Sequence, residues 1–152
     1  MGVGLATERQ IGSAEVPLSL ALARLTQAAE RELAAVLRAE GLRVEDWRVL
    51  DHLARHGKAT MSELAEATLV SGATVTRLVD KLTSLGLLYR TPGAVDRRLV
   101  HVHLSARGTR RHAALARAVQ HAEVAMVRSF AVDAALREPM ARVREGLADR
   151  DA

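Results

Sequence analysis

Apolar residues recur at three- and four-residue spacing through the first part of the chain, the pattern of helices with one buried stripe. Between Leu18 and Ala39 the stripe is Leu18, Leu22, Leu25, Ala29, Leu33 and Val36, and Gly41 is the expected stop. A second helix is expected over Val44 to His56, with Trp47, Leu50 and Leu53 spaced by three and Gly57 ending it. Thr60-Met61-Ser62-Glu63 has capping-box spacing, in which hydroxyl and carboxylate each satisfy a backbone N–H, and it opens a short third helix. Ser71 caps a fourth helix that runs to Leu85 and stops at Gly86.

The period then switches. Leu87 to Arg90 is short and strand-like, and Pro92-Gly93 signals a turn. Val100, Val102 and Leu104 alternate with His101 and His103, as in a half-buried strand. A β-hairpin with its tip at residues 94–98 accounts for this run. Ser105 starts a long helix towards Phe130, and Asp133 starts a last helical segment towards Leu147 that Pro139 kinks or divides. The expected fold class is mainly α with a small β-hairpin wing: a winged helix-turn-helix plus N- and C-terminal dimerisation helices. The long flanking helices carry stripes that the small winged core cannot cover, and a second copy of the chain would supply the surface.

Composition narrows the picture. Of 152 residues 49% are hydrophobic, yet only Trp47, Tyr89 and Phe130 are aromatic, so Ala, Leu and Val must build the core. That excludes a β-sandwich as the main architecture and excludes intrinsic disorder. No apolar run reaches a membrane-spanning length and no signal peptide is seen, so a soluble, cytoplasmic protein without a membrane partner is expected. Cysteine is absent, which excludes disulfides, thiolate catalysis and thiol redox sensing. There is no nucleophile elbow, Walker loop or H-E-x-x-H, so neither an enzyme nor a cofactor is expected. The adjacent acids Glu45 and Asp46 fall in a first helical turn, where the helix dipole accounts for them.

The net charge of +4 is unevenly placed. Residues 71–111 carry eight cations (Arg77, Lys81, Arg90, Arg97, Arg98, Arg107, Arg110, Arg111) against Asp80 and Asp96, a balance of +6. The rest of the chain holds 14 cations and 16 acids, a balance of −2. Affinity for a duplex comes mainly from neutralising phosphates, so this segment is the candidate DNA-binding face.

On the fourth helix Val75, Leu78, Val79, Leu82 and Leu85 are expected inward, with Ala73, Thr74, Arg77 and Lys81 on the other side. Arg77 can reach guanine O6 and N7, and the methyl of Thr74 or Thr76 can touch a thymine methyl. At the wing, Arg97 or Arg98 can enter the minor groove, with Asp96 holding the guanidinium extended. Ser71 and Arg90 complete the set. A solvated helix face would explain the charges of the fourth helix alone; a capped helix before it and a basic wing after it favour DNA. The expected divisions are therefore a flexible arm (1–16), a dimerisation helix (17–42), a winged helix-turn-helix DNA-binding domain (43–104) and C-terminal dimerisation helices (105–149).

The stretch from Met61 to Gly108 resembles the multiple-antibiotic-resistance regulator (MarR) family of bacterial transcription factors. The strings that carry the resemblance are SELAEA, VSGATVTRLVDKLTSLGLLYR and DRRLVHVHLSARG. The family's wing pattern falls on Asp96, Arg98, Leu104, Ser105 and Gly108, with Ser105 in place of the usual Thr. The resemblance implies a homodimer joined through its first and last helices, with the fourth helix in the major groove. It also implies Arg98 in the minor groove held by Asp96, and a ligand-responsive repressor acting on a palindromic operator. Pro139 departs from the family's continuous last helix.

Small-molecule sensing, by an acidic or phenolic effector, is a further implication of the resemblance. Trp47 with Arg24, Gln27, Arg31 and His52 is the candidate ligand set, against the plainer reading of Trp47 as a core anchor. His52 with His56, and His101 with His103, suggest a metal-responsive regulator as an alternative. Neither pair has acids at ligand spacing, so no metal is expected. A winged-helix module for protein–protein contact is the other rival, and it would present an apolar or acidic recognition face.

Overall fold

A computed structural model of the chain describes residues 17–93 and 99–132. The arm 1–16, the wing tip 94–98 and the expected last helical segment with Pro139 lie outside the described residues. Within them the order is α1 (Leu18–Arg38), α2 (Val44–His56), β1 (Lys58–Thr60), α3 (Met61–Thr68), α4 (Gly72–Ser84), β2 (Leu88–Pro92), β3 (Val100–Leu104) and α5 (Ala106–Val132). The chain is mainly α with a small antiparallel sheet, a winged helix-turn-helix set against two long helices.

Local chemistry places the helix starts. Thr60 and Glu63 form the expected reciprocal cap on α3, with Glu63 Oε2 accepting from the Thr60 N–H at 2.6 Å and Thr60 Oγ1 accepting from the Glu63 N–H at 3.3 Å. Ser71 Oγ accepts from the Thr74 N–H at the head of α4, which uses one of the N–H groups the helix leaves open. Asp46, in the first turn of α2, accepts the Arg43 N–H at 2.8 Å.

One continuous core joins all these elements. Trp47, Leu50 and Leu53 of α2 meet Leu64 of α3, Leu78 and Leu82 of α4, and Leu87, Leu88 and Val102 around the sheet. Each fully buried Leu among them stabilises the fold by roughly 1.5–3 kcal/mol. Leu37 from α1 and Leu115 and Val119 from α5 reach into the same cluster, so the long helices are anchored to the winged unit.

Four sequence expectations are corrected. The wing is a three-stranded sheet in the order β1-β3-β2, because β1 pairs with β3 through Lys58–His103, Ala59–Val102 and Thr60–His101. Leu85, expected inward, is 42% exposed, since α4 ends at Ser84 where the chain turns away from the core towards Gly86. Of the β3 alternation only Val102 is fully buried, while Val100 stays exposed at the end of the sheet near the wing tip. In α1, Ala21 and Leu37 are the fully buried positions, whereas Leu20 and Leu22 remain exposed.

Candidate nucleic-acid interface

The inner side of α4 is held by Val75, Leu78, Val79 and Leu82, none more than 2% exposed. Its position is thereby set, and Ser71, Gly72, Ala73, Thr76 and Arg77 are left on the outside. Thr74 is half-buried, with its hydroxyl 3.0 Å from Ser71 Oγ. The Thr76 hydroxyl donates back to the Gly72 carbonyl at 3.0 Å. Small residues at the helix head let a duplex approach the backbone closely. Arg77 has no hydrogen bond or ion pair among the described residues, so its guanidinium can engage an external acceptor.

The other expected cations divide into free and engaged. Lys81 is turned to Asp46, with Nζ at Oδ2 and only 35% of the side chain exposed. This corrects its placement on an open face: it spans from α4 to the first turn of α2. Arg90 of β2 donates to Asp80 of α4 at 2.7 Å and so ties the wing to the helix. Arg111 of α5 pairs with Glu40 at 2.7 Å. Arg107 and Arg110, like Arg77, have no partner among the described residues. Asp96, Arg97 and Arg98 lie outside them. The chain on either side of the tip is clasped, since the Gly93 N–H donates to the Leu99 carbonyl at 2.6 Å.

Asp46 is the functional neighbour that sequence reasoning missed. It is fully buried, and only its Oδ2 is engaged; Oδ1 has no hydrogen-bond partner. Its position in a first helical turn accounted for an acid there, but no local signal pointed to a cation 35 residues away.

The histidines fall into separate settings. His103 stacks on Tyr89 with ring centroids 4.9 Å apart, and its Nε2 is 2.8 Å from Thr91 Oγ1. His52 and His56 stack at 4.2 Å and line a hollow of about 270 Å³ with Lys58, Glu63, Glu66 and Ala67. Burial and the neighbouring His56 hold the His52 imidazole below its ordinary pKa, while the Thr60 hydrogen bonds hold the Glu63 carboxyl below its own. No group of three His, Asp or Glu among the described residues is arranged to hold a metal ion.

The expected ligand set is not brought together. Trp47 is 6% exposed, a core residue that stacks on His112 of α5 at 4.8 Å and 7°. His112 in turn lies 3.1 Å from Asp51. A hollow of about 260 Å³ beside Trp47 is lined by Asp51, Arg55, Ala116, Val119, Gln120 and Glu123. His52 lines the other hollow, because five residues along an α-helix turn its side chain by about 140° from Trp47. Arg24, Gln27 and Arg31 are exposed on α1 and line neither hollow.

Residues 40–99 match the model of the MarR family. Over 91 residues the chain is 31% identical to the HTH-type transcriptional repressor MdtR of Bacillus subtilis (strain 168), covering 60% of this chain and 59% of that protein. The chain thus spans about three-fifths of the length of that curated relative. Among solved structures, a MarR family transcriptional regulator from Silicibacter pomeroyi superposes with a TM-score of 0.73 at 28% identity, over 90% of this chain and 96% of that one. A mutant MarR from E. coli complexed with operator DNA also superposes at 0.73, with 23% identity over 88% and 93% of the two chains. This second likeness bears on the fold.

Proposed function

We propose that the chain is a transcriptional repressor of the MarR family that binds a palindromic operator as a homodimer. The observation that carries this reading is the head of α4. Its inner side is locked into the core, its outer side is small and polar, and Arg77 stands there without a partner among the described residues. Ser71, Ala73, Thr76 and Arg77 read the major groove. Arg98, held by Asp96, enters the minor groove from the wing tip, which the Gly93–Leu99 clasp carries. The match of residues 40–99 to the MarR family model favours the same reading, and MdtR, a repressor by name, favours repression over activation.

Homodimerisation is supported by the apolar residues that α1 and α5 leave uncovered, among them Leu20, Leu22, Val124 and Val127. Two-fold symmetry then places the two α4 helices in major grooves about 10–10.5 bp apart. An acidic or phenolic effector docking in the hollow between α2 and α5, beside Trp47 and Arg55, would favour a dimer with the wrong spacing. Equal effector affinity for free and DNA-bound protein rules that step out by linkage.

The test is selection of fragmented genomic DNA by the purified protein, followed by duplex binding across a salt series. A shared inverted repeat is expected, with affinity falling steeply as salt rises. Recovery of no common sequence, or salt-independent binding, overturns the reading in favour of a protein-contact module.

A further inference from the structure

Leu69 carries α3 into α4, and its backbone lies in the left-handed region at φ 58° and ψ 35°. Among the described residues it is the only non-glycine with a positive φ. The Cβ of an L-residue crowds the following carbonyl in that region, a strain that glycine does not have. The hydrogen bonds that close α3 are made by the backbone N–H groups of Leu69 to the Glu66 carbonyl and of Val70 to the Ala65 carbonyl. They ask nothing of the Leu69 side chain. Val70, half-buried against the core, supplies the apolar contact that usually completes such a helix end.

The side chain is also 85% exposed, more than any other large apolar residue described. Leu20, Leu22, Val124 and Val127 lie on the long helices, where a second copy would cover them, but Leu69 stands two residues before the Ser71 cap of α4. Leucine at this turn is therefore unfavourable twice over, in its backbone and in its exposure, with no return among the described residues.

We propose that Leu69 is a specificity-determining contact of the DNA-reading surface, packing against a thymine C5-methyl at the edge of the α4 footprint. The inference rests on α4 reading duplex DNA. The outer residues of α4 that follow it, Ser71, Gly72, Ala73 and Thr76, are small, and Arg77 is cationic, so α4 adds no large apolar side chain to Leu69 for a protein to bury. The thymine methyl is the apolar group that a duplex displays in its major groove, and one isolated apolar side chain matches it.

The experiment compares the full chain with Leu69→Gly and Leu69→Asn, both compatible with the left-handed turn. Thermal midpoints are measured alongside affinity for a duplex selected by the unaltered protein, and for the same duplex with uracil in place of thymine. Both variants should melt about 2–4 °C higher. Both should bind the thymine duplex about four- to tenfold more weakly. Uracil should weaken the unaltered protein more than it weakens the variants, and the difference should match the loss of the variants on the thymine duplex. A lowered midpoint, undiminished affinity, or equal losses on the thymine and uracil duplexes would overturn the proposal. If the unaltered protein selects no duplex, the DNA reading falls together with it; normal selection with unaffected variants removes this contact alone.

Discussion

The ammonium of Lys81 on α4 meets the carboxylate of Asp46 on α2, whose side chain has no exposed surface, while that of Lys81 is 35% exposed. The pair fixes the helix proposed to read DNA against the helix that anchors the core. It is also asymmetric, since one partner can be rehydrated in place and the other cannot. Asp46 Oδ2 receives both the Lys81 ammonium and the Arg43 N–H, so the same oxygen caps α2 and anchors α4.

The asymmetry predicts unequal mutant costs. Lys81→Met leaves a buried carboxylate without its cation and should lower stability by about 3–5 kcal/mol. Asp46→Asn leaves an ammonium that can turn to water and an amide that can still accept the Arg43 N–H, and should lose about 1–3 kcal/mol. Urea denaturation of the two variants checks this. Equal losses would mean that the carboxylate is not isolated from solvent.

The engaged state of Lys81 also predicts how the proposed DNA binding responds to salt. Arg77→Ala should cost about 1–3 kcal/mol of binding, relax the sequence preference and, if it contacts a phosphate as well, reduce the salt slope by about 1. Lys81→Ala, assayed at a temperature where it remains folded, should leave the slope unaltered because its charge is already answered by Asp46. Titrations at four or five salt concentrations separate the two. A slope lost with Lys81 and kept with Arg77 would reverse their assigned roles.

These contrasts mark where the sequence was legible. The bounds of α2 and the caps at Thr60 and Ser71 depend on residues within a few positions of one another, and the structure reproduces them. The three residues of β1 hold only Ala59 as an apolar position, too few for a period, and they become a strand because β3 pairs with them. Lys81 shares the outward spacing of Arg77, but its partner comes from a distant helix. The ligand set failed for a related reason: Trp47 and His52 are close along the chain and lie on different sides of α2. Leu69 was passed over because nothing in a one-dimensional pattern reports a positive φ.

Among the described residues, two shifted groups contribute to the acid side of the stability curve. The imidazole of His52 is held below its ordinary pKa of 6.5 by burial and by His56, so the unfolded chain binds its proton first. Stability from this group is complete above pH 6.5 and is lost as the pH falls from there through the lowered folded value. Glu63, held below its ordinary 4.5 by the Thr60 hydrogen bonds, acts lower: its contribution is present above that value and lost as pH falls through the folded pKa. His52→Gln should flatten the curve just below pH 6.5, and Glu63→Gln, which removes the titrating carboxyl itself, should flatten it below pH 4.5. Thermal midpoints from pH 3.5 to 8 test both, and an unaltered profile in either variant removes that group from the account.

The joint between the wing and α5 yields the last prediction. A Cβ on Gly108 would lie 2.1 Å from the Leu87 carbonyl oxygen and 3.1 Å from Leu104 Cδ2. The carbonyl has little room to move, because Leu87 is 4% exposed and its oxygen already accepts the Ser105 N–H at 2.9 Å. Helix propensity alone favours alanine over glycine by about 1 kcal/mol inside a helix. Gly108→Ala should nevertheless destabilise the protein by about 1–3 kcal/mol or more, as overpacking of a rigid site does. Gly72, on the first turn of α4, has nothing within 4 Å of the same added atom. Gly72→Ala should therefore be neutral or mildly stabilising, which supplies the control for the substitution itself. Opposite signs in the two variants identify close approach, rather than backbone freedom, as the reason glycine occupies position 108; a stabilised Gly108→Ala would show that the joint can open.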